Sequence, residues 1–168
     1  MSTLQLQDIY LARQRIESLI RRTPMEYSPS LSLRVGVAVY LKLEFWQNTG
    51  SFKLRGASNA VAQLSAEEKK RGVVAASTGN HGRALAYAAS RQGVKATICL
   101  SHLVPANKVQ AIRDLGAEVR LVGQSQDDAQ IEAERIANEQ GATLLPPFDH
   151  PAIIAGQGTL GLEILEQQ

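Results

Sequence analysis

Cysteine is nearly missing from this sequence: Cys99 stands alone among 168 residues. That excludes an internal disulfide framework and any zinc cluster built on cysteines. Long apolar runs are missing as well, none approaching the roughly 20 residues that a membrane-spanning helix needs. No membrane partner is therefore expected. Charge of one sign is not in excess either, with 18 Lys+Arg against 16 Asp+Glu and a formal net charge of +2. A nucleic-acid binder gathers its basic residues into a stripe or patch, and no stretch here does so, so no nucleic-acid partner is expected. The opening residues Met1 to Gln7 show neither a basic n-region nor an apolar h-region. No secretory signal is expected, and the expected location is cytoplasmic. There are no repeats and no low-complexity segments. What remains is 44% hydrophobic and 20% charged, the mix of a soluble globular protein that buries a real core. The length fits one ordinary domain, or one domain and part of a second.

Along the chain, Ile9, Ala12, Ile16, Leu19 and Ile20 recur at helical spacing and predict an amphipathic helix over 5–20. Arg21-Arg22-Thr23-Pro24 ends it, because a residue before proline is pushed out of the α region. Val37 to Glu44 (VAVYLKLE) reads as a strand. An α/β rhythm follows, with strands at 73–76, 96–100 and 118–122 and helices over about 83–92, 106–115 and 127–140. Gly93, Gly116 and Gly141 stand where glycine closes helices. Ser65-Ala66-Glu67-Glu68 and Ser125-Gln126-Asp127-Asp128 carry the capping-box pattern at helix starts. Short apolar strands, each followed by a helix of about ten residues, imply a parallel sheet with right-handed crossovers. The last stretch, Gly158 to Gln168, has helical apolar spacing but no closing glycine and no following strand. It is expected to leave its apolar face uncovered, as is the strand at 37–44, and the chain reads as a truncated one.

Three segments could carry chemistry. Gly156-Gln157-Gly158-Thr159-Leu160-Gly161 is a literal G-x-G-x-x-G. A dinucleotide turn would need a preceding strand and an acidic residue some 20 positions later. Pro151 suits a helix start instead, and the chain ends first, so the nucleotide reading is set aside. Thr49-Gly50-Ser51-Phe52-Lys53-Leu54-Arg55-Gly56-Ala57 places a lysine in a glycine-bracketed turn beside an aromatic ring and ahead of a helix. A lysine whose amine is activated by burial attacks carbonyls, whereas spacing alone equally describes a solvated loop lysine. Ser77-Thr78-Gly79-Asn80-His81-Gly82 follows a strand and precedes a helix. Unpaired N–H groups and the positive end of a helix dipole there suit a carboxylate or phosphate. An ordinary Ser/Thr cap with a surface histidine is the other reading.

These segments, with Pro146-Pro147-Phe148-Asp149-His150-Pro151 and Ile154-Ala155-Gly156-Gln157-Gly158-Thr159, resemble the threonine/serine dehydratase group of type II pyridoxal-phosphate enzymes. The threonine ammonia-lyases and the dehydratases of hydroxyectoine utilisation are the nearest matches within it. The resemblance runs over essentially the whole chain, most clearly from Arg22-Thr23-Pro24 onward. It absorbs the G-x-G-x-x-G into the group's own pattern. It implies an α/β fold of the tryptophan synthase β-like type II class, a parallel sheet with flanking helices, here truncated. Residues 71–150 would form the smaller domain, and 1–70 with 151–168 would belong to the larger cofactor domain.

The resemblance also implies roles. Lys53 would be the Schiff-base lysine for pyridoxal 5'-phosphate and, with Thr78, catalytic. Phe52 would pack on the cofactor ring and Asn80 would bond its 3′-oxygen. Ser77, Thr78, Gly79, Asn80 and His81 would hold the carboxylate of a small amino-acid substrate. The implied reaction turns L-threonine or L-serine into a 2-oxo acid and ammonia, in a homo-oligomer when full length. The alternatives are an amino-acid racemase of the same family and an inactive truncated binding module. In the racemases a serine stands at the position of Thr78 and an asparagine at that of Phe148, so elimination is expected to dominate here. The group's glycine-rich phosphate loop and the Ser or Thr facing the pyridine nitrogen would fall beyond residue 168. Phe45-Trp46 and Arg83 also depart from the group's usual residues.

Other chemistry-bearing residues read as structural. Cys99 lies in an apolar strand and is expected to be core. His102 and His150 have no partners at metal-ligand spacing, so no metal site is expected, and Asp149-His150 precedes a helix as a cap does. Glu132, Glu134, Arg135 and Glu139 form a solvated helix side.

Overall fold

Val73–Ala76 is four consecutive apolar residues, all buried, the signature of a strand covered on both faces. In the computed structural model, which describes residues 4–168, the elements preceding it are α1 (Leu6–Ile16), β1 (Met25–Tyr27), α2 (Pro29–Val35), β2 (Tyr40–Lys42), a short 3-10 helix (Glu44–Trp46), α3 (Lys53–Ala62) and α4 (Ala66–Arg71). The apolar strand is β3 (Val73–Ala76), followed by α5 (Asn80–Arg91), β4 (Ala96–Leu100), α6 (Ala106–Arg113), β5 (Glu118–Leu121), α7 (Gln126–Gln140), β6 (Thr143–Leu144) and α8 (Pro151–Gln167). Strands β3 to β6 form one sheet in the order β5-β4-β3-β6, with every pairing parallel.

That order contains a reversal. The chain steps outward from β3 through β4 to β5, then returns across the sheet to lay β6 on the other side of β3. The loops leaving the carboxyl ends of the neighbouring strands β3 and β6 lie side by side, and with the start of α7 they enclose a groove. Residues 77–79 and 145–150 are those loops.

Helix α7 covers one face of the sheet through Ala129, Ala133 and Ile136, packed on Val74, Ala76 and Cys99. The opposite face, with Ala75, Ile98 and Leu100, packs on α5, α6 and, behind α5, α3. Cys99 is fully buried as expected, and burial raises its thiol pKa to about 11. The capping boxes at Ser65 and Ser125 form with both reciprocal bonds. Gly93, Gly116 and Gly141 adopt positive φ after α5, α6 and α7. His150 accepts from the Ala152 amide at the start of α8.

Three expectations change. The helix over 5–20 stops at Ile16, with Leu19 and Ile20 in a following turn. The strand at 37–44 shrinks to β2, because Glu44–Trp46 turns away, and it pairs antiparallel with β1. The helix over 158–168 is the end of α8, which begins at Pro151 and carries the G-x-G-x-x-G in its middle. Its apolar face is covered in part: Ile153, Ala155 and, within 158–168, Leu162 are buried on the side where α8 meets α3 and α1, whereas Leu165 stays exposed.

The glycines explain that contact. A methyl group on Gly156 would lie 2.6 Å from the Arg55 carbonyl oxygen and 2.6 Å from Gly56 Cα, and one on Gly158 would meet the Ile9 side chain at 2.8 Å. They let backbones touch where helices cross. Gly156→Ala should thus destabilise the fold by about 1–3 kcal/mol through overpacking. Gly161, with nothing within 4 Å, should accept alanine with a gain of up to about 1 kcal/mol from helix propensity. Urea unfolding of the two variants beside the parent measures both.

Candidate functional site

Lys53 is the first residue of α3, with Phe52 just before it. The Ser51 hydroxyl oxygen accepts from the Lys53 amide at 3.3 Å and holds the turn. The half-buried side chain runs toward the carboxyl end of β6, where Nζ donates to the Pro147 carbonyl oxygen at 2.7 Å. It sits 5.3 Å from the centroid of the Phe52 ring and 6.0 Å from that of Phe148. The amine thus rests against a neutral acceptor and two apolar rings, and no carboxylate ties it down.

At the end of β3 the buried Ser77 hydroxyl oxygen accepts from the Gly82 amide at 3.0 Å and closes the loop over the start of α5. Gly82 is required there, since a methyl group on it would lie 2.7 Å from the Ser77 carbonyl oxygen. Thr78, Gly79 and Asn80 are exposed at the helix N-terminus. The amides of Asn80 and His81, in the first turn of α5, lack intrahelical acceptors and point out of the helix end. Ser77, Thr78, Pro147 and Phe148, with Gln126 of α7, line a groove of about 630 Å³. Pro147 is therefore common to the groove and to the Lys53 contact.

His81 behaves differently from its neighbours. It is 3% exposed, and its Nε2 lies 3.0 Å from the Leu145 carbonyl oxygen. Its Nδ1 is buried without a partner. The side chain therefore offers no surface to a ligand, and only its backbone N–H stands at the helix end. Asn59 Nδ2 similarly donates to the Ala152 carbonyl at 2.7 Å. Lys53, His81 and Asn59 thus stitch the segment 145–152 to α3 and α5.

Sequence reasoning missed a buried ionic cluster two residues beyond Lys53. Arg55 is 0% exposed. Its Nε and Nη2 donate to the two Glu44 carboxylate oxygens at 2.9 and 2.8 Å. Nη1 and Nη2 donate to Glu163 at 2.8 and 2.9 Å, and Nη1 also reaches the Thr159 hydroxyl at 3.2 Å. Lys42 Nζ donates to Glu163 at 2.6 Å, to Gln167 Oε1 at 2.8 Å and to the Thr23 carbonyl at 2.6 Å. Burial works against charge on Arg55, yet its bonds to Glu44 and Glu163 outweigh that and raise its pKa. Burial likewise opposes charge on Glu163, and Arg55 and Lys42 overcome it and lower the carboxyl pKa. Two cations meet two anions, so the cluster is neutral as a whole. Partners 11 and 108 positions apart leave no local pattern to read; the signal was the arginine inside the Lys53 motif. Among the described residues no group of His, Cys, Asp and Glu gathers to hold a metal ion, and no helix is long and apolar enough to cross a membrane.

With this geometry in hand, likeness to known proteins decides the family. The chain matches the family described as pyridoxal-phosphate dependent enzyme over residues 16–168. It belongs to that family. It is 61% identical over 166 residues to a Sinorhizobium fredii protein provisionally assigned as a threonine dehydratase, covering 99% of this chain and 50% of that one. It is 48% identical over 163 residues to the L-threonine ammonia-lyase of Thermotoga maritima, covering 97% and 41%. Maize serine racemase superposes with a TM-score of 0.93 at 37% identity, over 97% of this chain and 50% of that structure. The fold is that of the type II pyridoxal-phosphate enzymes, a parallel sheet with flanking helices. The chain spans about half the length of these relatives and matches their N-terminal half.

The buried His81 makes stability pH-dependent. Burial lowers its pKa below the ordinary 6.5, against a smaller opposing effect of the Leu145 carbonyl. The unfolded chain therefore binds a proton before the folded one does. Stability from the neutral ring is full above pH 6.5 and declines as pH falls from there through the lowered folded value. His81→Gln, which keeps an N–H for Leu145, should lose less stability than the parent between pH 7 and 5 in urea titrations.

Proposed function

We propose that this chain supplies the lysine-bearing half of a pyridoxal-phosphate-dependent ammonia-lyase that converts L-threonine or L-serine to a 2-oxo acid and ammonia. The observation carrying the reading is the Lys53 amine held at the crevice where β3 and β6 end, on a carbonyl rather than a carboxylate. The donor set fits the aldehyde and ring end of the cofactor. A primary amine stands ready for the aldehyde, and the Phe52 and Phe148 rings flank it. Asn80 carries a free carboxamide at the helix start for the ring oxygen. Partners for the phosphate and pyridine nitrogen would come from the part of the relatives that this chain does not span.

When bound, pyridoxal phosphate supplies an electron sink for the charge left at the substrate α-carbon. The rest falls to the chain. Lys53 Nζ, freed from Pro147, takes the α-proton and is the general base. The amides at the start of α5, with the Ser77 and Thr78 hydroxyls, orient the substrate carboxylate, favoured by the helix dipole. His81 takes part through its backbone N–H, since its ring is engaged with Leu145. Phe148 and Pro147 give the groove an apolar wall.

The reading divides the chain into a smaller domain at 71–150 and parts of a larger one at 1–70 and 151–168. The parallel sheet lying wholly within 73–144 supports that division. A homo-oligomeric, cytoplasmic enzyme acting on a small amino acid completes it. Exposed Leu33, Val37, Phe45 and Trp46, all within residues 1–70, support further protein packing on the larger domain.

Likeness to maize serine racemase favours racemisation as the second reading. The higher identity to the two threonine-directed relatives and the branched, χ1-restricted Thr78 support elimination. Joining this chain to the C-terminal half of the Sinorhizobium fredii relative tests both. The joined protein should form 2-oxobutanoate from L-threonine and more pyruvate than D-serine from L-serine, whereas the 168 residues alone should form neither. Lys53→Ala should lower turnover by a factor on the order of a thousand, the scale of losing a general base. A D-serine flux above the pyruvate flux, or turnover that survives Lys53→Ala, would overturn the reading.

A further inference from the structure

The ionic cluster has no stability reason to exist. Four charges taken out of water cost more than well-packed apolar residues of the same volume would, and exchanging such a cluster for them is often neutral or stabilising. What the cluster provides is directional. Arg55 forks onto Glu44 in the 3-10 helix and onto Glu163 in α8, and Lys42 in β2 closes on the same Glu163. Each bond fixes an angle as well as a distance, and the guanidinium plane is rigid. Apolar contacts tolerate sliding; in the same seam Asn59 bonds the Ala152 carbonyl from the middle of α3, whereas Arg55 acts in its first turn, next to Lys53. Arg55 lies two residues from Lys53 on the same helix, so the register of α3 against α8 sets where Nζ falls.

We propose that Arg55, with Glu44, Glu163 and Lys42, is a positioning cluster that locks the first turn of α3 so that Lys53 Nζ reaches the Pro147 carbonyl at the crevice. The inference rests on the reading of Lys53 as the reacting lysine, but the contact it explains exists without cofactor. None of the four residues touches the groove beside Ser77 and Thr78, so they act through Lys53.

Competitive acetylation of the purified, cofactor-free protein with peptide mapping reads the position of Lys53 directly. In the parent, Lys53 should be acetylated several-fold to about tenfold more slowly than Lys69, Lys95 and Lys108, the factor that one held hydrogen bond represents. R55K, which keeps the charge but loses the fork, should abolish most of that protection. So should the four-fold apolar variant K42M/E44L/R55L/E163L, whose melting temperature should stay near that of the parent. A merely structural cluster would instead lower stability and leave Lys53 protected in every molecule that remains folded. Unchanged protection of Lys53 in the folded variants would sink the proposal. Because acetylation needs no cofactor, this outcome is separate from that of Lys53→Ala in the joined protein.

Discussion

Everything near the crevice depends on how α3 lies against α8. Two glycines, Gly56 and Gly156, bring the backbones into contact that a single methyl group would break. Arg55, wholly buried, pins the first turn of α3 in that contact by bonding Glu44 and Glu163 at once, while Asn59 holds the middle of the helix to the Ala152 carbonyl. Helix α5 packs on the other side of α3 and on the sheet. The orientation of the helix carrying Lys53 is thus transmitted to the start of α5, where Ser77 caps the Gly82 amide. A mobile α3 would separate the lysine from the helix terminus even if both elements stayed folded.

The second constraint is topological. A parallel sheet whose order reverses brings the carboxyl ends of two strands distant in sequence side by side, and here their loops, 77–79 and 145–150, border one groove. The fold therefore creates a crevice before any side chain is specified. Chemistry is then assigned to its walls by residue type: free amides and hydroxyls from the β3 loop, an amine from α3, apolar rings from Phe52 and Phe148. Membership of the pyridoxal-phosphate dependent family fits a crevice that offers an amine beside a helix terminus.

Much of the framework was legible because it rests on local rules. Strand 96–100 falls where expected, since five apolar or β-branched residues between turn signals have one comfortable conformation. Ser65, Ser125 and His150 cap helices because capping depends on residues two or three positions away. Illegible elements are those that exist only through a partner. Strand β6 is two residues long and is a strand because β3 lies beside it. The glycine motif at 156–161 matched a phosphate loop letter by letter, yet it occupies a helix interior, where Gly156 and Gly158 serve helix crossing and Gly161 faces open space. At the site, the residue types of the Lys53 turn and the Ser77–Gly82 loop were visible. The inward turn of His81, the Pro147 carbonyl and the pairing of Arg55 with Glu163 across 108 positions were not, because each depends on tertiary packing.

One amine among six lysines, that of Lys53, is set apart by its place at the crevice. Reducing the joined protein, in which the Sinorhizobium fredii half supplies the partners for the phosphate, with borohydride in the presence of limiting pyridoxal phosphate, then mapping the pyridoxyl-bearing peptide by mass spectrometry, measures this directly. The structure predicts that the label concentrates on Lys53. Label spread over Lys69, Lys70, Lys95 and Lys108 in proportion to their exposure, with Lys53 no higher than they are, would contradict it.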